Sequence, residues 1–351
     1  MKNNKVMLNI IALLAVIGLL FILDQTLDSY KMRIANLCGI YVVLGLSLNL
    51  INGFTGLFSL GHAGFMAVGA YTAALLTMEP AMKEMNFFLK PIVPFLANVE
   101  WPFWLALPTA GIVTAFVGFL IGAPVLKLRD DYLAIATLGF SEIIRVIFTN
   151  TQSLTNGALG LKGIPNHTNI WWSWGVAIFT IIFMIFLIKG SYGKAFKAIR
   201  EDEIAAEAMG ISLFKHKVLS FTIGAFFAGV GGALLGNLLG TIDPNTFRFL
   251  FTFNILLIVV LGGIGSITGT VISAVIVAFS MEWLRFLDES INLGFIKIPG
   301  IPGMRMVVFS ALLMIVILFY QHGIMGTKEF TWDWIFDRKN FTKKTLKKEV
   351  K

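Results

Sequence analysis

The chain has 351 residues and a formal net charge of +8, and 57% of its residues are hydrophobic whereas only 14% are charged. Soluble domains carry about 25% charged residues, so the composition excludes a water-soluble globule and predicts an all-α polytopic membrane protein. Eight Lys and Arg residues fall within the last 30 positions, where a basic tail beside a membrane span indicates contact with anionic membrane lipid and not with nucleic acid.

Apolar stretches long enough to cross the bilayer, about 20 residues each, occur along the whole sequence. Two of the predicted spans, 57–78 and 266–287, open in glycine-rich stretches and are therefore candidates for broken or re-entrant segments. We predict a transmembrane domain over 1–326 and a basic cytoplasmic tail over 327–351. The bundle is predicted to contain about ten transmembrane helices, near 6–23, 34–51, 57–78, 103–123, 131–148, 171–188, 218–240, 248–264, 266–287 and 304–321.

Lys and Arg residues are divided unequally between the two sides of the predicted bundle. If the N-terminus is cytoplasmic, the inner segments hold 18 of them and the outer segments hold seven. Cytoplasmic loops carry the excess of positive charge in membrane proteins, so we expect both termini and the 189–217 loop to lie on the cytoplasmic side.

Two glycine-rich stretches, 53–64 and 261–266, stand before the third and ninth predicted spans. Neither contains the Gly-Lys-Ser/Thr sequence of a phosphate-binding loop, so they predict no ATP site. Their similar placement indicates an internal repeat of the kind that transporters use. The candidate pathway or gate residues here are Asn49, Gly56, Ser59, Gly61 and His62. His62 is interpreted as a hydrogen-bonded packing residue, with a proton carrier as the alternative.

Two predicted helices carry a small residue at every fourth position. In the first helix these residues are Gly224, Ala228, Gly232, Gly236 and Gly240. In the second, treated as one continuous ridge over 262–278, they are Gly262, Ser266, Thr270, Ala274 and Ala278. Membrane helices associate through small residues that let their backbones approach. We interpret both ridges as closely packed helix faces, with lining of the transport pathway or sliding between helices as the alternative.

Charged pairs occur near the predicted outer ends of two spans. Glu142 and Arg145 are three residues apart, as are Glu282 and Arg285, so each pair lies on one helix face and can form a local ion pair. One interpretation is self-neutralised charge at the membrane interface, and the other is contact with a partner or substrate at the outer mouth. The sequence shows no relay of deeply placed carboxylates, which an ion-driven carrier usually needs.

The sequence contains no pattern typical of catalysis or of a metal site. A single cysteine, Cys38, excludes a zinc site built from several thiolates, and the four histidines form no H-E-x-x-H pattern. A G-x-S-x-G nucleophile pattern is also missing from the sequence. We therefore predict no catalytic residue, metal or cofactor in this chain.

The segment 190–217 differs from its surroundings because it is rich in charge and in strong helix formers. Residues Lys194 to Met209 predict one helix outside the bilayer, about 24 Å long at 1.5 Å per residue, with Gly210 as its left-handed C-cap. A low-profile patch suited to docking would consist of Ala205, Ala206 and Gly210. The charged rim of that patch includes Arg200, Glu203 and Glu207. A solvated connector without a partner is the alternative.

This segment resembles the cytoplasmic EAA loop of ABC importer permeases, in which Glu-Ala-Ala is followed by Gly after three intervening residues. Ala205, Ala206 and Gly210 match that pattern, whereas Ile204 occupies the position of the acid and Glu203 precedes it. The chain resembles more narrowly the LivM-type branched-chain amino acid permease subunit. The stretches that carry this narrower resemblance are 48–64, 137–145, 154–161, 195–210 and 262–266.

The resemblance implies a permease subunit of an ATP-driven importer in a bacterial-type inner membrane. Its partners would be a second homologous permease, two cytoplasmic ATPase subunits that hold ATP and magnesium, and an extracytoplasmic substrate-binding protein. A net-neutral substrate such as leucine, isoleucine or valine suits a pore without unpaired buried charge. Urea or short amides are the alternative substrates, and an ion-coupled secondary amino acid carrier is the alternative of a different class.

Overall fold

The computed structural model describes residues 2–128, 131–288, 291–292, 297–298, 303–319, 323–326 and 328–329. Its helices are α1 (Lys2–Thr26), α2 (Ser29–Leu48), α3 (His62–Thr77), α4 (Pro80–Asn86), α5 (Pro94–Ala97), α6 (Phe103–Val125), α7 (Asp131–Asn150), α8 (Gln152–Thr155), α9 (Ile170–Lys189), α10 (Ser191–Glu201), α11 (Glu203–Ala208), α12 (Leu213–Leu239), α13 (Phe249–Gly262), α14 (Ile267–Trp283) and α15 (Met304–Phe319). A π-helical turn, Asn49–Phe54, extends α2, and 3₁₀ turns occupy Gly157–Leu159 and Leu284–Leu287.

Strands are short in the described part of the chain. Strand β1 (Leu161–Lys162) pairs antiparallel with β2 (Thr241–Ile242), and β3 (Ile291–Asn292) pairs antiparallel with β4 (Lys297–Ile298). The predicted all-α class is therefore confirmed.

Within the described residues, five helices are long and apolar enough to cross a membrane. They are Ser29–Phe54, Phe103–Val125, Tyr132–Asn150, Ile170–Lys189 and Leu213–Leu239. Shorter apolar helices occupy Leu14–Thr26, Phe249–Gly262 and Ile267–Trp283. The polytopic membrane class is thus confirmed, whereas the count of about ten full spans is not, because hydropathy does not separate a full span from a helix of 14 to 17 residues.

Helix α12 lies at the centre of the bundle and packs against α2, α3 and α6. The glycines of α12 explain this central position, because they let its backbone come into contact with neighbouring helices. A methyl group at Gly232 would lie 2.1 Å from the carbonyl oxygen of Met66 in α3, and one at Gly224 would lie 2.5 Å from the Ile51 side chain. Gly229 and Gly69 approach each other equally closely. The small-residue face of α12 therefore lies against neighbouring helices.

The third predicted span starts later than the sequence predicts. Residues 55–61 are not helical, and α3 begins only at His62. Gly56 has a φ of 76°, a left-handed conformation that favours glycine and that no continuing α-helix allows. The glycine-rich stretch therefore precedes the helix, and the third predicted span is shortened at its start and not broken within the helix His62–Thr77.

The second glycine-rich stretch forms the tip of a helical hairpin between α13 and α14. Gly263 and Gly265 have φ values of 116° and 84° and reverse the chain, and Ser266 caps α14 by accepting a hydrogen bond from the Gly269 N–H. The predicted continuous ridge over 262–278 is therefore wrong, because Gly262 belongs to α13. Gly262 instead packs against the backbone of Gly269 across the hairpin.

The predicted single helix Lys194–Met209 is also wrong, because the structure divides it into α10 and α11. Asp202 is extended, with φ −160° and ψ 114°, and its carboxylate accepts a hydrogen bond from the Ala205 N–H at 2.9 Å. Aspartate is a strong N-cap residue, so it ends one helix and starts the next. Gly210 adopts the predicted left-handed conformation, with a φ of 83°.

Candidate functional site

The side chain of Asn49 joins the end of α2 to the hairpin tip. Its Nδ2 donates hydrogen bonds to Ser266 O at 2.9 Å and to Thr270 Oγ1 at 2.7 Å, and its Oδ1 accepts one from the Gly265 N–H at 2.9 Å. The amide is fully buried, and Gly53 makes room for it, since a methyl group there would lie 1.8 Å from Oδ1. Asn49 therefore fixes the tip to α2.

The side chain of Arg200 joins α10 to both glycine-rich stretches. Its Nη1 donates a hydrogen bond to Gly53 O at 3.1 Å. A methyl group at Gly56 would lie 2.9 Å from Arg200 Cγ, and one at Gly265 would lie 2.6 Å from Nη1. Both glycines also have positive φ, so space and backbone conformation together require glycine where Arg200 crosses. We call Asn49, Arg200 and the two glycine-rich stretches the arginine junction.

The sequence placed Arg200 on a charged rim that faces a partner, but the structure turns most of its side chain inward. The side chain is only 24% exposed, and the guanidinium also pairs with Glu201. The sequence gives no sign of this contact, because 147 residues separate Arg200 from Gly53 along the chain.

The predicted docking patch does not form one surface. Ala206 is buried within the chain, whereas Ala205 and Gly210 are exposed. Glu203, which sequence analysis grouped with the rim, forms an ion pair with Lys217 at 2.6 Å. The reason is helix geometry: successive side chains of α11 point about 100° apart, so Ala206 faces the bundle when Ala205 points to solvent.

Two large apolar side chains, one in α11 and one at its C-cap, are highly exposed. Ile204 is 82% exposed and Met209 is 83% exposed. Glu207, from the predicted rim, is also exposed. The sequence does carry a sign of this exposed apolar surface, because Ile204 and Met209 are isolated large apolar residues in an otherwise polar helical segment.

The C-terminal residues 323–326 and 328–329, which we call the C-terminal clamp, bind the other part of the hairpin tip. The Ile324 and Met325 N–H groups donate to Leu261 O and Gly262 O at 2.8 and 3.1 Å. The Glu329 carboxylate accepts hydrogen bonds from the N–H groups of residues 267 and 268 at 2.6 and 3.0 Å and from the Thr268 hydroxyl at 2.5 Å. An anion at a helix N-terminus is stabilised by these N–H groups and by the helix dipole.

The clamp follows the predicted last span, 304–321, and its residues 328–329 lie in the predicted basic tail. The family resemblance provided no information beyond residue 327, so the role of Glu329 was missed. An acid 62 residues from its partners gives no local pattern in the sequence.

The remaining predicted gate residues pack the first glycine-rich stretch into the bundle. His62 is buried, and its Nε2 lies 2.8 Å from Ser47 Oγ. Its Nδ1 has no hydrogen-bond partner among the described residues. Ser59 is buried as well, and Gly61 lies against the backbone of Thr137 in α7. His62 is therefore a buried residue with one hydrogen-bonded ring nitrogen.

Both predicted ion pairs form. Arg145 Nε lies 2.7 Å from Glu142 Oε2, and Arg285 Nη1 lies 3.1 Å from Glu282 Oε1. The Tyr30 hydroxyl donates a hydrogen bond of 2.7 Å to the same Glu282 oxygen. Tyr30 and the arginine junction lie at opposite ends of the continuous Ser29–Phe54 helix, so the second pair marks the distal end of the bundle. A cavity of about 590 Å³ opens beside it.

Residues 30–318 match the model of the family described as branched-chain amino acid transport system / permease component. The chain belongs to this permease family. The high-affinity branched-chain amino acid transport system permease protein LivM of Salmonella typhimurium is 36% identical to it over 290 residues, which are 73% of this chain and 64% of that protein. The predicted resemblance to LivM-type permeases is therefore confirmed.

In the alignments with two more distant relatives, the matched stretch covers a larger share of the relative's own length. The probable LivM of Methanocaldococcus jannaschii is 26% identical over 81% of this chain and 89% of that protein. The permease protein LivH of Escherichia coli is 26% identical over 82% of this chain and 92% of that protein. The match with the Salmonella LivM protein, by contrast, spans about 64% of the length of that protein. No solved structure matches.

Proposed function

We propose that the chain is a membrane-spanning subunit of an ATP-driven importer for branched-chain amino acids, which moves substrate delivered by an extracytoplasmic binding protein. The relatives that share its permease family are named for transport of these amino acids. The observation that supports the proposed transmission of movement from the loop to the bundle is the contact of Arg200 with both glycine-rich stretches.

In this proposal the ATPase subunits dock on α11. The sequence has no phosphate-binding loop, so ATP and magnesium belong on two separate cytoplasmic subunits. Ile204 and Met209 offer the apolar contacts that protein interfaces concentrate at their centres, and Glu207 contributes to a polar edge. A homologous second permease completes the transmembrane part. The loop and both termini then face the cytoplasm.

Movement of the docked loop reaches the bundle through Arg200. The loop helix α10 carries Arg200, so any displacement of α10 acts on Gly53 and on the hairpin tip at Gly265 together. Asn49 ties the same tip to α2, and positive-φ glycines allow the chain to bend there. The bundle then acts as a two-state gate whose equilibrium the ATPases bias.

The test compares Arg200→Gln with Lys194→Gln, a matched charge removal on an exposed residue of the same helix. Both variants are reconstituted with the partner permease, the ATPases and the binding protein. We expect Arg200→Gln to bind the ATPases, to lose at least about 90% of leucine uptake and to lose the stimulation of ATP hydrolysis by loaded binding protein, because coupling acts in both directions. Lys194→Gln should behave like the wild type.

Two results would contradict the proposal. Normal leucine uptake by Arg200→Gln would exclude this residue as the mechanical link. ATP-dependent uptake of urea without uptake of leucine by the wild-type complex would exclude branched-chain amino acids as the substrate.

A further inference from the structure

The cavity of about 590 Å³ at the distal end lies between the first turns of α2 and the end of α14. Tyr30, Arg33, Ile34 and Leu37 line it from α2. These positions follow the i, i+3, i+4, i+7 spacing, so they share one helix face. Cavities of 300–1,000 Å³ are the usual size of small-molecule sites in proteins, so the space suits a molecule of amino acid size.

The charges around the cavity balance. Two guanidinium groups, from Arg33 and Arg285, face two carboxylates, from Glu282 and Asp288. A ligand that carries one positive and one negative charge can therefore bind without giving the cavity a net charge. Urea carries neither charge, and a simple anion or cation would engage only one half of the set.

Glu282 is held in place before any ligand arrives. Its Oε1 accepts hydrogen bonds from the Tyr30 hydroxyl at 2.7 Å and from Arg285 Nη1 at 3.1 Å. Arg285 also lies 5.9 Å from the centre of the Tyr30 ring. Groups that are fixed in advance lose less conformational entropy on binding, so this wall of the cavity is preorganised.

Arg33 differs from the other charged groups of the cavity because it has no ion-pair or hydrogen-bond partner among the described residues. A guanidinium binds a carboxylate through two parallel hydrogen bonds. Ile34 and Leu37 lie next to it on the same helix face and provide an apolar wall. A carboxylate, an ammonium group and an aliphatic side chain thus each have a matching part of the cavity.

We propose that this cavity binds a zwitterionic aliphatic amino acid as it enters the membrane domain. Arg33 receives the α-carboxylate, the Glu282 and Asp288 side faces the α-ammonium group, and Ile34 and Leu37 contact the side chain. This inference rests on the proposed function, and it adds a substrate site within the permease itself.

The experiment uses a leucine analogue with a photoreactive diazirine in its side chain. The full importer complex, reconstituted in nanodiscs, is irradiated with the analogue, digested and mapped by mass spectrometry. We expect adducts on the 30–37 stretch that an excess of leucine suppresses and an excess of urea does not. Arg33→Gln should reduce this labelling at least fivefold, and Ile34→Trp, which fills the cavity without changing its charge, should reduce it as well.

Lys31→Gln is the matched control, because Lys31 is an exposed cation on the same helix that pairs with Asp28 at 3.6 Å and does not line the cavity. Its labelling and its leucine uptake should equal those of the wild type. Adducts found only elsewhere, or equal labelling in Arg33→Gln, would overturn the inference. If the wild-type complex imports leucine but the cavity is not labelled, only this inference fails. If it imports no leucine at all, the proposed function fails.

Discussion

A single methyl group at Gly232 tests the packing of α12 against α3. In Gly232→Ala the new Cβ would lie 2.1 Å from the carbonyl oxygen of Met66 and 2.7 Å from Met66 Cα. Carbon atoms in contact are normally about 3.5–4.0 Å apart, and both neighbours are backbone atoms that no rotamer change can move. The two helices must therefore separate by about 1 Å along several turns.

The same substitution at Gly236 is the matched control. There the nearest atoms are Ala70 Cβ and Ile242 Cγ2, each at 3.3 Å, so a shift of a few tenths of an ångström suffices. Alanine also gains about 1 kcal/mol of helix propensity over glycine, which offsets this small cost. Overpacking at Gly232 should destabilise by about 1–3 kcal/mol, whereas Gly236→Ala should stay within about 1 kcal/mol of the wild type.

Thermal unfolding in detergent measures the difference. A change of 1 kcal/mol shifts the Tm of a large domain by about 2–4 °C, so Gly232→Ala should lower the Tm by roughly 2–12 °C and reduce the monodisperse yield. Gly236→Ala should change neither quantity by much. A Tm for Gly232→Ala equal to or above that of Gly236→Ala would refute the close backbone contact between α12 and α3.

Two further predictions concern the loop end of the bundle. Glu329→Ala removes the acceptor of three hydrogen bonds at the start of α14, so we expect ATP hydrolysis that continues with at least about threefold lower uptake per ATP. Glu329→Gln should keep part of the coupling because one amide oxygen remains. Ile204→Asp combined with Met209→Asp should weaken ATPase binding at least about tenfold, since charge replaces the exposed apolar surface of α11, whereas Glu207→Gln should have little effect.

Each of these predictions has its own contradicting result. Wild-type uptake per ATP in Glu329→Ala would show that the clamp takes no part in coupling. Pull-down of the ATPases with equal yield by the double Asp variant would show that the docking surface lies elsewhere on the loop.

Local chemistry allowed several features to be predicted from the sequence alone. Low charge and long apolar stretches predicted an all-α membrane protein, because the bilayer requires every backbone polar group to be paired within the segment. The spacing of three residues predicted the Glu142–Arg145 pair, and Gly210 predicted a left-handed helix end. Each of these depends on residues close together in the chain.

Only the tertiary structure decided which residues that are distant in the sequence come into contact. The contact of Arg200 with Gly53, the capping of α14 by Glu329 and the burial of Ala206 depend on groups brought together by the packing of helices. An arginine on an amphipathic loop helix has the same local pattern whether it faces a partner or its own bundle. The direction of a side chain is set by which helix faces pack, and small-residue contacts between distant segments decide that packing.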